Sequence, residues 1–460
     1  MQPFYLQLLS LNSLSIESWI EKVNKPINSF AWGWPTVALI AITGVVLMTG
    51  LAFRPITKIP YGFRTLLNPS SGAGEDGDIS PFQALMTSLA ATIGTGNIAG
   101  VAAAIATGGP GSVFWMWFIA IFGMATKYSE AVLAVHFREQ DKLGNYVGGP
   151  MYYIKNGLNK RWRWLGGLFA LFGMLAGFGI GNGVQCFEVS SALAQAGIPN
   201  FLTAILLGTL VFSVIIGGVK RIAKAASAIV PFMAAFYVIA CLVILVVNFS
   251  AIPSAIQLII SDAFTGKAVA GGTLATVIRT GFQRGIFSNE AGLGSAPIAH
   301  ASAKTNDPVK QGTVAMLGTF IDTIVICTMT ALVIIINGSY LSGADGSELS
   351  ILAFNTAIPG SGLIVTAGLA IFAFTTVLGW SVYGERCTEY LFGVKAKTPF
   401  RLAWVAVVVI GSIAGDPARS VVWGLADTLN GLMALPNLVA LLLLSGTVFD
   451  LTRRYKFQSK

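Results

Sequence analysis

The sequence predicts an all-α integral membrane protein, and three observations carry that class. Of its 460 residues 54% are hydrophobic and only 11% charged, whereas a soluble globular chain carries roughly 25% charged residues. Mean hydropathy is +0.73, and apolar runs of bilayer length recur from end to end rather than as one anchor. The 52 glycines suit helices that must approach closely where lipid offers no hydrophobic drive to association.

A span needs roughly 20 predominantly apolar residues. Residues 1–31 read as an amphipathic lead-in at the membrane interface, with Leu14, Ile16, Trp19, Ile20 and Val23 on a loose helical period. Eleven spans follow, near 33–53, 80–105, 111–137, 165–194, 201–217, 226–249, 269–297, 309–336, 361–385, 401–416 and 420–448. The last contains Pro436, which predicts a kink or two pieces. Between spans, Gly148–Ile154 reads as an interfacial turn and helix, and 345–360 as a short outer helix.

Basic residues test this count. With the chain changing side at each span, 22 of the 29 lysines and arginines fall on one side, Arg138, Lys220, Arg386 and Arg453 among them. Four, Lys22, Lys25, Lys267 and Arg419, fall on the other, while Lys127, Arg279 and Arg284 lie within spans. The positive-inside rule then puts the N-terminus outside and the C-terminus in the cytoplasm of a multi-pass cell-membrane protein. The net charge of +9 is accounted for without nucleic acid.

Several function classes are excluded. Cys186, Cys241, Cys327 and Cys387 lie in or beside apolar segments with no metal-site or disulfide spacing. Two histidines, His136 and His300, are too few for a His-rich catalytic centre, and no phosphate loop of the GxxxxGK[ST] type occurs. The N-terminal residues, with Glu17, Glu21, Lys22 and Lys25, lack the order of a cleaved signal peptide. Neither a membrane enzyme nor a passive channel with rings of carbonyls or charges finds support.

Two spans are interrupted. Ala90–Gly100 puts three glycines, two threonines and Asn97 in mid-span, and Gly285–Gly294 repeats the pattern about 190 positions later. Broken helix survives in lipid only where it lines a cavity or is buried in protein, and a matched pair of breaks points to a transporter's binding site. Carbonyls freed around Thr92 and Ile93 suit a small hard cation, and the N-terminal end of the resumed half-helix suits a carboxylate. At the second break, Asn289 and the backbone of Gly285–Ser288 are the ligand candidates, while Arg284 and Glu290 are candidates for an internal ion pair. Asn182 and Gln185 present amides on one helix, for ligand or for interhelical hydrogen bonds. Asp322 invites either a cation or proton, or a buried arginine partner. Lys127 and Glu130 read as a local pair, and Thr375 and Thr376 as back-bonded hydroxyls. Asp427 and Glu188 carry no assignment.

Longer motifs add a resemblance. Gly94–Arg138, the GGPMYYI loop at Gly148–Ile154, Gly285–Gln311 and Gly318–Thr330 resemble the alanine or glycine:cation symporter family over nearly the whole chain. That family is similar to the leucine-transporter fold of the amino acid–polyamine–organocation superfamily. The resemblance implies five helices plus five inverted helices behind one extra N-terminal helix. Its divisions here are 1–79, a first repeat at 80–249, a connection at 250–268, an inverted repeat at 269–448 and a tail at 449–460. It implies sodium-coupled import of alanine, glycine or a similar small neutral amino acid, of L and also D form, by alternating access, with proton coupling as the alternative. Substrate contacts carry over to Thr95, Gly96, Asn97, Gln185, Phe287 and Asn289, with Gly379 and Trp380 closing the pocket. The sodium ion carries over to Ala90, Ile93, Phe372, Thr375 and Thr376.

Overall fold

The structure, a computed structural model, describes residues 22–68, 70–195, 197–265, 273–414 and 416–457. Most of the lead-in (Leu14, Ile16, Trp19 and Ile20), the counted Lys267 and the last three residues of the tail lie outside them. Among the described residues the chain is almost wholly helical; its one sheet is a hairpin of β1 (Glu139–Gln140) and β2 (Tyr146–Val147).

In chain order the helices that matter are α1 (Trp34–Gly50), α2 (Ile59–Leu67), α3 (Pro81–Thr92), α4 (Val101–Gly108), α5 (Ser112–His136), α6 (Pro150–Gly157), α7 (Arg163–Phe178), α8 (Val184–Gln195), α9 (Asn200–Ile215) and α10 (Gly218–Val247). Then follow α11 (Ile252–Thr265), α12 (Leu274–Asn289), α13 (Ala296–His300), α14 (Pro308–Thr319), α15 (Thr328–Ile336), α16 (Gly346–Ala357), α17 (Gly362–Phe392), α18 (Lys397–Ile413) and α19 (Asp416–Arg454). Starts follow local chemistry. Ser80 and Gln83 form a capping box with Pro81 in the first turn of α3. Asp307 accepts the Val309 and Lys310 N–H groups ahead of Pro308 in α14.

Eight described helices are long and apolar enough to cross a membrane, nine when the bent pair α3 and α4 counts as one span. The other two expected spans are helical but short: α9 has 16 residues, and α12 stops at Asn289 after 16. Several expectations shift. The helix expected at 226–249 begins earlier, at Gly218. Pro436 does not divide the last helix, which is continuous from Asp416 to Arg454. The GGPMYYI segment does form a helix, α6, with Pro150–Ile154 buried within the protein.

Two apolar cores meet at the breaks. One joins α1, the second half of α5, α7, α17 and α19; the other joins α3, α4, α10, α15 and α16. The loop carrying β1 and β2 is pinned to the start of α18: Lys397 Nζ lies 2.7 Å from Asp141 Oδ2. Desolvation pushes the Asp141 carboxyl up, but the Lys397 ammonium and the Asn145 amides outweigh it and hold it well below the ordinary aspartate range. A depressed carboxyl contributes stability above its unfolded value and loses it as pH falls through the folded one. Thermal unfolding should therefore worsen as pH drops below about 4, and Asp141→Asn should flatten that limb while lowering the midpoint at pH 7.

Candidate functional site

The first break is built by Asn97. In an unbroken helix the Gly94 N–H would bond the Ala90 carbonyl; here it donates to Asn97 Oδ1 at 2.9 Å. Ile93 turns extended (φ −74°, ψ 94°), and Gly96–Gly100 resumes as a π-helical turn, bending the span by 55°. π-turns recur at Gly179–Gly183 and Phe320–Cys327, so Asn97, Asn182 and Asp322 all sit on locally widened helix, a frequent mark of functional positions.

The second break falls later than the glycines suggest. α12 runs regularly through Gly285 to Asn289, so the Gly285–Ser288 backbone is not freed. A Cβ at Gly285 would come within 2.7 Å of Ile119, which makes that glycine a packing position. The chain turns instead at Glu290 (φ 57°), Gly292 (φ 91°) and Gly294 (φ 83°).

Asp322 ties the two breaks together. Its carboxylate accepts from Asn97 Nδ2 (2.7 Å), Ser288 Oγ (2.7 Å) and Thr323 Oγ1 (2.8 Å), and no arginine approaches it among the described residues. Asn289 Nδ2 donates to Thr323 Oγ1 at 3.0 Å, and its own Oδ1 caps the Ala291 N–H at 2.9 Å. The expected Arg284–Glu290 pair does not form. Ser295 Oγ donates to Glu290 at 2.5 Å, and the Arg284 guanidinium lies over the Phe287 ring at 6.0 Å.

Between the breaks is a small inner cavity of about 20 Å³ whose walls include Gly94, Thr95, Gly96, Gln185, Phe287, Glu290, Thr376, Trp380 and Asn430. That is room for little more than one water. Three side-chain oxygens on it, Thr95 Oγ1, Gln185 Oε1 and Asn430 Oδ1, are buried without a hydrogen-bond partner. Gln185 Nε2 donates to the Ile180 carbonyl at 3.0 Å, which fixes the amide with its oxygen inward. Above it an outer cavity of about 250 Å³ shares Thr95, Gly96 and Phe287 and adds Glu188, Arg284, Trp423 and Ser347. Phe287, which lines both, stacks at 6.2 Å on Trp423 of the outer cavity, and Trp423 Nε1 donates to Glu188 at 3.3 Å.

Residues 17–460 match the sodium:alanine symporter family. The chain belongs to that family. It is 50% identical to the sodium/alanine symporter AgcS of Methanococcus maripaludis over 436 residues, 93% of this chain and 96% of that one. An uncharacterized transporter of Haemophilus influenzae is 48% identical over 95% of this chain and 96% of its own length. The amino-acid carrier protein AlsT of Bacillus subtilis is 40% identical over 97% and 94%. The protein is thus a multi-pass, cation-coupled amino acid transporter and not an enzyme.

For this symporter, the structure sorts the sequence candidates. Thr95, Gly96, Gln185, Phe287, Trp380 and Thr376 line the inner cavity; Asn97 and Asn289 do not, and spend their amides on the breaks. Gly379 serves close approach, since a Cβ there would sit 2.7 Å from the Ala91 nitrogen. The same contact brings α17 against the first break, where a Cβ at Gly94 would meet Thr376 Oγ1 at 2.6 Å. Thr375 and Thr376 both donate to the Phe372 carbonyl at 2.9 Å, so back-bonding holds and leaves their oxygen lone pairs free. With the Ala90 carbonyl released from Gly94, the oxygen chemistry fits a small hard cation. Asn182 is interhelical: its Nδ2 donates to the Trp404 carbonyl at 2.9 Å.

Sequence reading missed two things. Asn430 went unnoticed, although Leu429-Asn430-Gly431 interrupts an apolar helix with an amide. Lys127 and Glu130 read as a pair, yet each goes to the second break. Lys127 Nζ donates to the Asn289 carbonyl at 2.6 Å, and Glu130 Oε1 accepts the Gly292 N–H at 3.1 Å. Asn437 Nδ2 completes the set, donating to Glu130 Oε1 at 2.7 Å and to the Gly292 carbonyl at 2.9 Å, and Tyr153 of α6 donates to Asn437 Oδ1. Of the residues without assignment, Asp427 accepts from Asn28 at 3.0 Å and Glu188 lines the outer cavity.

Proposed function

We propose that the chain imports a small neutral amino acid, alanine or glycine, together with sodium, across the cell membrane by alternating access. The observation that carries this is the trio of unpartnered buried oxygens, Thr95 Oγ1, Gln185 Oε1 and Asn430 Oδ1, on one cavity at the first break. Buried acceptors left unpaired cost about 1–3 kcal/mol each, and three of them match the three N–H donors of an α-ammonium group. The resumed half-helix beyond Gly96 offers its positive end to the α-carboxylate. In the state described the inner cavity has room only for the ammonium end; Thr95, Gly96 and Phe287, which it shares with the outer cavity, mark where the rest of a small substrate would extend.

In this reading sodium is held by the Ala90 and Ile93 carbonyls with Thr375 and Thr376, Phe372 turning its carbonyl to their hydroxyls. Sodium and amino acid then brace the same break from opposite sides. By linkage each raises the other's affinity by one common factor. The outer cavity reaches Gly346 and Ser347 on the side that the basic-residue count places outside, which favours an outward-facing state with N-terminus outside and C-terminus in the cytoplasm. Eleven spans, with α9 and α12 counted as the two short ones, fit a leucine-transporter-like 5+5 core with one helix in front. The repeats would be 80–249 and 269–448, joined by 250–268, between the leading 1–79 and the tail 449–460.

The test is radiolabelled alanine uptake into proteoliposomes under imposed sodium or proton gradients. A sodium gradient alone should drive accumulation. Uptake driven only by protons would overturn the ion assignment, and uptake indifferent to both would overturn symport. Thr376→Ala and Gly94→Ala should each raise the sodium concentration for half-maximal uptake, the second because its methyl would displace the Thr376 hydroxyl. A sodium dependence unmoved in both variants would place the ion elsewhere.

A further inference from the structure

A third cavity, of about 300 Å³, lies far along the chain from either break, where α9 turns into α10 and α17 into α18. Ile216, Lys220, Glu385, Arg386, Lys397 and Arg401 are among its walls. Its inner charges cancel. Arg401 holds Glu385 at 2.5 and 2.9 Å, Lys397 bridges Asp141 and Glu389 at 2.7 and 3.0 Å, and Arg386 holds Glu389 at 2.7 Å.

The outer charges do not cancel. Lys220 is two-thirds exposed and has only Asp78, at 3.8 Å. Lys142, Arg221, Lys224 and Lys395, on the segments that form the mouth, are exposed and make no ion pair among the described residues. The carboxylates of those segments are already paired, so the solvent-facing field of the mouth is positive. Its lining also carries bare apolar side chains, Leu143 and Ile216, 67% and 52% exposed, and Phe392 and Leu402 on the adjoining segments are 66% and 59% exposed. A basic hollow bordered by bare aliphatic and aromatic side chains at the ends of membrane helices suits an anion that carries its own hydrocarbon.

We propose that this cavity seats the phosphate headgroup of an anionic phospholipid, with the acyl chains lying along the exposed Ile216 and Leu143. Basic pockets between membrane helices take such headgroups. The phosphate would meet Lys220, with the exposed Arg221 and Lys395 next in the chain to the lining residues Lys220 and Val394, without breaking the Arg401–Glu385 or Lys397–Asp141 bonds. A lipid bound here bridges the α9–α10 turn to the α17–α18 turn, which Arg401 already links through its bond to the Ile216 carbonyl at 3.0 Å. The same phosphate chemistry is offered by a free anion; the apolar border is what favours the lipid.

The experiment uses the full chain, delipidated in a neutral detergent. Thermal unfolding is followed with added phosphatidylglycerol, phosphatidylcholine or inorganic phosphate, and lipid retention is counted by native mass spectrometry. Phosphatidylglycerol should raise the midpoint and remain as a one-per-chain adduct, whereas phosphatidylcholine and phosphate should do neither. Lys220→Gln and Arg221→Gln should each weaken phosphatidylglycerol binding about 5-fold, the worth of one basic charge near an anionic surface, without moving the alanine concentration for half-maximal uptake. Raising salt should weaken binding further. Equal stabilisation by phosphatidylcholine overturns the proposal, as does stabilisation by inorganic phosphate matching that of the lipid, which makes it a soluble-anion site. Unchanged lipid binding in both variants overturns the placement.

Discussion

Replacing Gln185 with alanine is expected to raise the alanine concentration for half-maximal uptake by about 10- to 100-fold, with little change in the amount of folded protein. The side chain lies on α8 just past the π-turn Gly179–Gly183, and its Nε2 is spent on the Ile180 carbonyl at 3.0 Å. That leaves Oε1 as an acceptor with no protein partner, facing the inner cavity. A hydrogen bond to a charged group contributes about 1.5–3 kcal/mol, and each 1.4 kcal/mol is a factor of ten in binding. Because the acceptor is already unpaired in the protein alone, its removal should cost stability little. Substrate binding is the quantity that moves. Uptake kinetics and alanine-induced thermal stabilisation measured on one preparation separate the two, and an unaltered half-saturating concentration would remove Gln185 from the site. Asn430→Ala should act in the same direction, which tests whether the residue unseen in the sequence shares the ligand.

What the sequence disclosed about this site, and what it hid, follow from the same physics. A break in a membrane helix must be spelled in glycine and polar residues, so Ala90–Gly100 and the glycines after Asn289 were legible from composition alone. The breaks' own side chains were harder. Asn97 and Asn289 are the most ligand-like residues in the two motifs, yet in lipid a freed N–H or carbonyl needs a partner before anything else does. Asn97 closes onto Gly94 and Asn289 onto Ala291. A sequence shows an amide at a break but not whether the break itself consumes it. Asp322 was legible as a buried carboxylate; its partners were not, because Asn97 and Ser288 lie 225 and 34 positions away. Asn430 was lost because one amide in an apolar helix is far more often interhelical, as Asn182 is. Gly285 and Gly379 read as flexibility or pocket, but the space a Cβ would need shows them to be contacts between helices. The helix count was mostly recoverable, since length and hydropathy decide it. It faltered at α9 and α12, where one span is short and the other ends in the second break.

Asn437→Ala, away from the cavity, should abolish most transport and lower the unfolding midpoint. Gly292 sits in the second break with neither backbone group in a helix. Its N–H goes to Glu130 and its carbonyl to Asn437, and those two side chains are bonded to each other at 2.7 Å. Lys127 holds the Asn289 carbonyl on the same stretch. These side chains replace the main-chain bonds that the break gives up, and all three are fully buried. Losing the Asn437 donor strands the Gly292 carbonyl and removes one partner of a buried carboxylate, at about 1–3 kcal/mol for each group left unsatisfied. Glu130→Gln keeps an acceptor for the Gly292 N–H and should be the mild member of the series. Asn437→Asp sets a second carboxylate against Glu130 and the carbonyl, and should be the severest. A general loss of packing would not follow that order, because Asp and Asn have nearly the same shape. The set also predicts where function fails. Phe287 and Ser288 lie on the last turn before the break, so on the proposed reading a slackened break should weaken alanine binding more than sodium binding. Alanine- and sodium-induced stabilisation of Glu130→Gln, measured separately, reads that difference, and an equal loss of both would mean that the break positions no half-site of its own.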